Sequence, residues 1–361
     1  MIKFGRRFLL FIILVCMTSV AKANPYIVVD ASTGRVLAHK EAFDRWYPAS
    51  LTKMMTAYIT FRAMHSGQLS PSSHVVVSAR AAKEPPSRSG YKAGSVLDLD
   101  TALSIMMVKS TNDLAAAIAE TVSGSQAAFV EKMNAEAQRL GMFGTHFSNP
   151  HGLPDPDNYS TARDLAVLAA QIRREFPQYV HYFSIPAIDY GDGRKVEQNT
   201  NNLIGRFNGA DGMKTGFICS SGFNLAASAT RNGRTLIAIV LGAQRIDQRE
   251  GLAAKLLNEG FSNQGTSQVT LATLQPYGTK LSQASDRRQD ICNQEAWEIR
   301  MQYRDEKGKT IFDSPFIAAL ALHSQPMQVR LIAEPQPAKP GEVPIWKAPI
   351  PAQRPAYEYA P

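Results

Sequence analysis

The chain has 361 residues, 44% of them hydrophobic and 19% charged, an ordinary globular composition that suits one large domain or two smaller ones. Its formal net charge is +8. That charge is dispersed, with no dense Lys/Arg block and no interleaving of basic and aromatic residues, so the pattern points away from nucleic-acid binding and toward a solvated surface.

At the N-terminus, Lys3, Arg6 and Arg7 precede the apolar run FLLFIILVCM, which gives way to the small-x-small triplet Ala21-Lys22-Ala23. The run is too short to span a bilayer comfortably. It predicts a cleaved secretory signal over residues 1–23 and a mature chain beginning near Asn24. A lipid-anchor reading of Cys16 is disfavoured, because the apolar run continues past it. Export leaves Cys219 and Cys292, which in an oxidising compartment could pair or both stay free. No metal-ligand spacing is present.

YIVVDASTGRVLAHK then predicts a β-hairpin, with strand-like runs Tyr26–Val29 and Arg35–His39 around the turn-rich Ala31-Ser32-Thr33-Gly34. Pro48 precedes Ser50, and Leu51, Met54, Met55 and Tyr58 recur at helical spacing. Ser50 is therefore expected at the start of a helix that is apolar nearly all round. From Ala79 to Phe176 the chain reads as helix-rich, with TALSIMMV and DLAAAIAETV interrupted by KSTN. Residues 145–159 have no helical period and carry Gly, Pro and Asn, which predicts a long surface loop. Ser160 or Thr161 then caps a helix through ARDLAVLAAQI. From Lys214 the pattern turns to strands: FNLAASAT and TLIAIVLGA are joined by the Asn-Gly hairpin signal of RNGR. GLAAKLLNEGF reads as an amphipathic helix ending at Gly260.

Strands at both ends with helices between predict one α/β (α+β) domain over residues 24–261, its sheet completed by distant segments. Residues 262–333 read as a small, β-rich region with runs such as MQVRLIA, and residues 334–361 as a proline-rich tail. A C-terminal amphipathic helix with a basic face, of the kind that lies on membranes, is not evident.

Ser50 and Lys53 stand at i and i+3, on one helix face. A serine hydroxyl needs a base to become nucleophilic, and a lysine serves only when neutral, a state that burial and nearby cations favour. A serine at a helix N-terminus also has free backbone N–H groups beside it to stabilise an oxyanion. Alone, this spacing equally describes a capping serine and a snorkelling lysine. Ser110-Thr111-Asn112 alone is a helix break, and Lys214-Thr215-Gly216 alone a basic strand end.

In this order and at these separations, the three elements resemble the active-site set of the serine penicillin-recognising enzymes. Thr111 occupies the variable position of the middle element, where the best-known enzymes have Asp or Gly. The flanks PASLTKMMTA, NPHGLPDPDNYSTARDLA, GADGMKTGF and SSGFNLAASAT are similar to those of the low-molecular-mass D-alanyl-D-alanine carboxypeptidases, from about Tyr26 to Phe261. The resemblance implies a β-lactamase/transpeptidase-like fold: an antiparallel sheet flanked by helices, a helical subdomain and a small C-terminal extension. Beyond Phe261 it weakens. Many members have a β-rich second domain and an amphipathic anchor there, and only a divergent or shortened form of the former is legible.

The resemblance also implies roles. Ser50 attacks the carbonyl of the terminal D-Ala-D-Ala bond to form an acyl-enzyme, and Lys53 takes its proton. Ser110 relays a proton toward the leaving amine, and Asn112 holds Lys53 and the substrate backbone. Lys214 supplies positive potential, and Thr215 helps bind the substrate carboxylate. Gly216 leaves room for substrate along the strand edge, and the backbone N–H groups of Ser50 and Phe217 form the oxyanion hole. Arg249 matches a carboxylate-binding arginine by position, with Arg245 as the fallback. His151 reads as loop architecture rather than chemistry, and nothing requires Cys219 for the mechanism.

The partners so implied are peptidoglycan stem peptides ending in D-Ala-D-Ala, and β-lactams as covalent inhibitors. The place is the periplasm after secretion across the inner membrane, with peripheral membrane association left open. No cofactor or metal is implied. An endopeptidase cutting cross-links would share every motif. A class A β-lactamase deacylates with a loop glutamate, and none lies between Leu140 and Ala170, so slow deacylation is expected. A non-catalytic peptidoglycan-binding scaffold would be expected to have lost Ser50, Lys53 or Lys214.

Overall fold

The structure, a computed structural model, describes residues 24–263, 268–321 and 325–334. The expected signal segment with Cys16, and the proline-rich tail beyond Glu334, lie outside the described residues.

The predicted hairpin forms: β1 (Tyr26–Asp30) pairs antiparallel with β2 (Val36–Lys40). A 3-10 turn over Ala49–Thr52 runs directly into α1 (Lys53–His65). From Lys53 to Met64 every residue of α1 except Arg62 is buried, as an all-round apolar pattern requires. The start of the supposed helix-rich stretch is instead a two-stranded ribbon, β3 (His74–Val76) with β4 (Val96–Asp98). Between those strands lies Pro85-Pro86, which cannot sit in a helix interior. The helical subdomain follows as α2 (Leu99–Lys109), α3 (Asn112–Ser123) and α4 (Gln126–Arg139). Thr161 caps α5 (Ala162–Glu175): its Oγ1 accepts from the Asp164 N–H at 3.0 Å. Two short strands, β5 (Ala187–Asp189) and β6 (Glu197–Gln198), come next.

The remaining strands, β7 (Ala210–Ile218), β8 (Gly222–Arg231) and β9 (Arg234–Ala243), complete a five-stranded antiparallel sheet ordered β2-β1-β9-β8-β7. Asn232 and Gly233 take φ of 49° and 76°, the left-handed pair that a tight hairpin turn demands. Along β9 the side chains alternate between two cores. Leu236, Ala238 and Val240 pack with Leu257 of α6 (Ile246–Ser262), while Ile237, Ile239 and Leu241 join the cluster of α1 and α5. The sheet therefore lies between α6 and the other helices, with β7 at its edge beside the turn that carries Ser50. α6 begins at Ile246, ahead of the amphipathic run read from the sequence, so Arg249 belongs to its first turn.

The β-rich expectation for residues 262–333 is not met. The described residues there hold α7 (Arg288–Ile291), α8 (Gln294–Gln302) and one two-residue strand, β10 (Met327–Gln328), laid parallel on β5. These polar runs lack a sustained alternating apolar face, so they build no sheet of their own. They bury single apolar anchors, Leu271, Ile291 and Val329, and Cys292 is disulfide-bonded to Cys219 just past β7. No described helix is long and apolar enough to cross a membrane.

Candidate active site

Ser50 is set between two close backbone approaches. Ala49, before it, has φ of 49°, a conformation L-residues rarely adopt. A Cβ on Gly152 would fall 1.9 Å from the Ala49 carbonyl oxygen, so only glycine lets the 145–159 loop come this near. That loop is packed rather than superficial: Phe147, His151 and Asn158 are buried.

Lys53, one turn on, is fully buried. Its Nζ lies 3.0 Å from Ser50 Oγ, 2.7 Å from Asn112 Oδ1 and 2.6 Å from the His151 carbonyl oxygen. Both carbonyl oxygens can only accept, so each takes an N–H of the amine. A neutral amine then has one lone pair left, and its remaining neighbour is the one group that can donate, the Ser50 hydroxyl. Burial pushes the Lys53 pKa well below the ordinary lysine range and the Lys214 charge adds to this, against Asp113 and Glu84.

Asn112 Oδ1 meets Lys53, and in this structure its amide nitrogen is engaged by backbone. Nδ2 donates to the carbonyls of Pro85 and Pro86, at 2.9 and 3.1 Å, and both its hydrogens are taken. Ser110 ends α2 with φ of 62°, and its buried Oγ has no hydrogen-bond partner among the described residues. The expected relay is thus not connected to Ser50 or Lys53. His151 is structural in its ring, where Nδ1 accepts from the Leu153 N–H at 3.3 Å and Nε2 lies 3.3 Å from Glu84. Its contribution to the site is the backbone carbonyl.

On β7, Lys214 is buried, and Nζ finds the Thr215 carbonyl at 3.1 Å. Burial, with a smaller contribution from Arg249, pushes its pKa down to about 7. Thr215 Oγ1 donates to Thr200 Oγ1 at 2.7 Å. A Cβ on Gly216 would stand 2.8 Å from the Pro48 carbonyl oxygen and 3.0 Å from the Ser50 nitrogen, so β7 passes close under the turn. Phe217 is 42% exposed and packs on Phe223.

Ser50, Ser110, Asn112, Thr215, Gly216 and Arg249 line one cavity of about 1200 Å³. Arg249 is not a free fork, because it is buried against Glu250, with Nε donating to Oε2 at 2.7 Å. Arg245 turns elsewhere, pairing with Asp247 at 2.9 Å and lying over the Tyr303 ring. Sequence reasoning missed the carbonyls of Pro85, Pro86 and His151, which leave no side-chain signature. It also missed Thr200, and the contribution of residues 304–321 to the cavity.

A family model for D-alanyl-D-alanine carboxypeptidases (peptidase S11) matches residues 17–245. The D-alanyl-D-alanine carboxypeptidase DacA of Haemophilus influenzae is 38% identical over 252 residues, covering 67% of this chain but only 62% of the relative. Among solved structures, the carboxypeptidase DacD of Francisella tularensis superimposes with a TM-score of 0.64 at 30% identity, over 67% of this chain and 70% of that one. Penicillin-binding protein D2 of Listeria monocytogenes, in its cefotaxime-bound form, gives 0.60 at 30% identity, over 66% of this chain and 97% of that one. The fold, the ordered motifs and the family match agree: the chain belongs to the D-alanyl-D-alanine carboxypeptidase family.

Proposed function

We propose that the protein is a periplasmic serine D,D-carboxypeptidase that removes the terminal D-alanine from peptidoglycan stem pentapeptides and is acylated and inhibited by β-lactams. The single observation carrying this is the Ser50–Lys53 contact of 3.0 Å, with the amine's other two neighbours restricted to accepting.

The chemistry follows from that arrangement. Lys53 takes the Ser50 proton as Oγ bonds to the penultimate D-Ala carbonyl carbon. The oxyanion is met by the backbone N–H groups of Ser50 and Phe217. The C–N bond then breaks, and the departing amine receives the proton held by Lys53. The terminal carboxylate is held by Thr215 and the charges of Lys214 and Arg249. Water, deprotonated by Lys53, hydrolyses the ester. Substrate lies along the β7 edge. The cefotaxime-bound relative supports β-lactam acylation here. The leader read at residues 1–23 supports export, with mature chain, C-terminal region and tail dividing near Phe261 and Glu334.

Fluorescent penicillin labelling, followed by D-alanine release from a D-Ala-D-Ala peptide, tests the reading. Labelling lost in Ser50→Ala, together with released D-alanine from wild type, is expected. Labelling without release would favour an endopeptidase instead.

A further inference from the structure

The family match ends at Arg245, but the cavity continues past it. Arg304, Lys309, Phe312 and Leu320 line the same space as Ser50. Several independent ties hold this wall in place. The N–H groups of Ala318 and Ala321 donate to the carbonyls of Arg206 and Gly205, both at 2.9 Å. The Arg245 guanidinium sits 3.6 Å above the Tyr303 ring, and that of Arg206 lies 5.5 Å from the Phe312 ring. Between these anchors the 304–310 turn is closed by the Asp305 carboxylate, which accepts from the N–H groups of Lys307 and Lys309 at 2.9 and 2.8 Å.

The cavity is cationic. Lys109, Lys195, Arg206, Arg249, Arg304 and Lys309 line it, and no Asp or Glu does. Lys109 is paired with Glu197 and Arg249 with Glu250. The charged side-chain groups of Lys195, Arg206, Arg304 and Lys309 have no carboxylate partner among the described residues, and Arg304 Nη1 donates to the Gly308 carbonyl at 2.6 Å. Low-dielectric walls bearing one sign of charge concentrate ligands of the opposite sign. In the carboxypeptidase reading, the substrate's terminal carboxylate falls to Lys214, Thr215 and Arg249 beside Ser50. Four cations then remain for a second anionic group.

We propose that this wall selects D-Ala-D-Ala peptides carrying a further free carboxylate on the residues before the two alanines, over peptides with an amine or a neutral group there. The inference rests on the carboxypeptidase reading and names its substrate class.

Three peptides of the form N-acetyl-X-D-Ala-D-Ala, with X as aminoadipate, norleucine or lysine, test it through kcat/KM for D-alanine release at low ionic strength. Wild type should favour aminoadipate over norleucine by about tenfold, and disfavour lysine. Raising salt to about 0.5 M should shrink that preference. The Arg304→Gln, Lys309→Gln pair should bring it within twofold of unity, and the Arg304→Lys, Lys309→Arg pair should keep it. Equal rates for the three peptides, or a preference unchanged in the glutamine pair, would overturn the proposal while leaving the carboxypeptidase reading intact. No D-alanine from any peptide, with Ser50 still labelled by penicillin, would overturn that reading and the proposal with it.

Discussion

The Lys53 amine stands 3.0 Å from the Ser50 hydroxyl, and the other two groups within its reach are carbonyl oxygens. A neutral lysine, the form that burial and the Lys214 charge favour, gives its two N–H groups to those oxygens and turns its lone pair to the Ser50 hydroxyl. That dependence ties the mechanism to the charge on Lys214.

Lys214 helps keep Lys53 short of its proton. Removing a nearby cation removes a term that disfavours the ammonium form, so Lys53 should titrate higher in Lys214→Met. The acid limb of the β-lactam acylation rate should move to higher pH in that variant. An unmoved acid limb would mean the two lysines are not electrostatically coupled.

The same substitution should raise thermal stability. Lys214 is buried with a single hydrogen bond, to the Thr215 carbonyl, and a folded-state pKa of about 7. Between that value and the unfolded value near 10.4, the unfolded chain binds more protons, so wild-type stability rises with pH through this window. The burial penalty is therefore complete below pH of about 7 and fades toward 10.4. Lys214→Met should gain more in Tm at pH 6 than at pH 9, and a gain that grows with pH would contradict the assignment.

Gly216→Ala should lower acylation about 100-fold, a larger effect than its cost in stability, because the added methyl falls 2.8 Å from the Pro48 carbonyl oxygen and 3.0 Å from the Ser50 nitrogen and must displace the turn that carries the nucleophile. Stopped-flow acylation beside thermal unfolding checks this; equal losses in both would indicate a folding defect.

Arg249→Ala strands Glu250, whose carboxylate is fully buried, and should cost about 3–5 kcal/mol. Arg249→Met with Glu250→Leu should recover most of that stability, yet bind peptide substrate weakly. Denaturant unfolding and KM separate the two roles.

Cys292→Ser opens the disulfide that ties α7 to the end of β7, across a sequence separation of 73. Closing a loop of that length is worth about 2–4 kcal/mol. Urea unfolding of oxidised wild type against Cys292→Ser measures it, and coincident curves would show that the cysteines do not pair.

The central sheet was legible because β8 and β9 state it twice, once by apolar alternation and once by the Asn232-Gly233 turn. Ser50 and Lys53 were legible as one helix face, and the downstream motifs through their resemblance to a known set. What hid was carried by backbone. The Pro85 and Pro86 carbonyls occupy the Asn112 amide, and the His151 carbonyl, not its imidazole, meets Lys53. Residues 268–334 misled for a different reason: their short apolar runs look like strands, but each only anchors the chain onto the neighbouring domain.

The most direct test is the pH dependence of acylation, followed by intact mass on wild type and Ser50→Ala with benzylpenicillin. A neutral, buried Lys53 predicts an adduct confined to wild type, stable over many minutes, with an acid limb well below the ordinary lysine value near 10.4. An acid limb at that ordinary value, or an adduct on Ser50→Ala, would contradict the account.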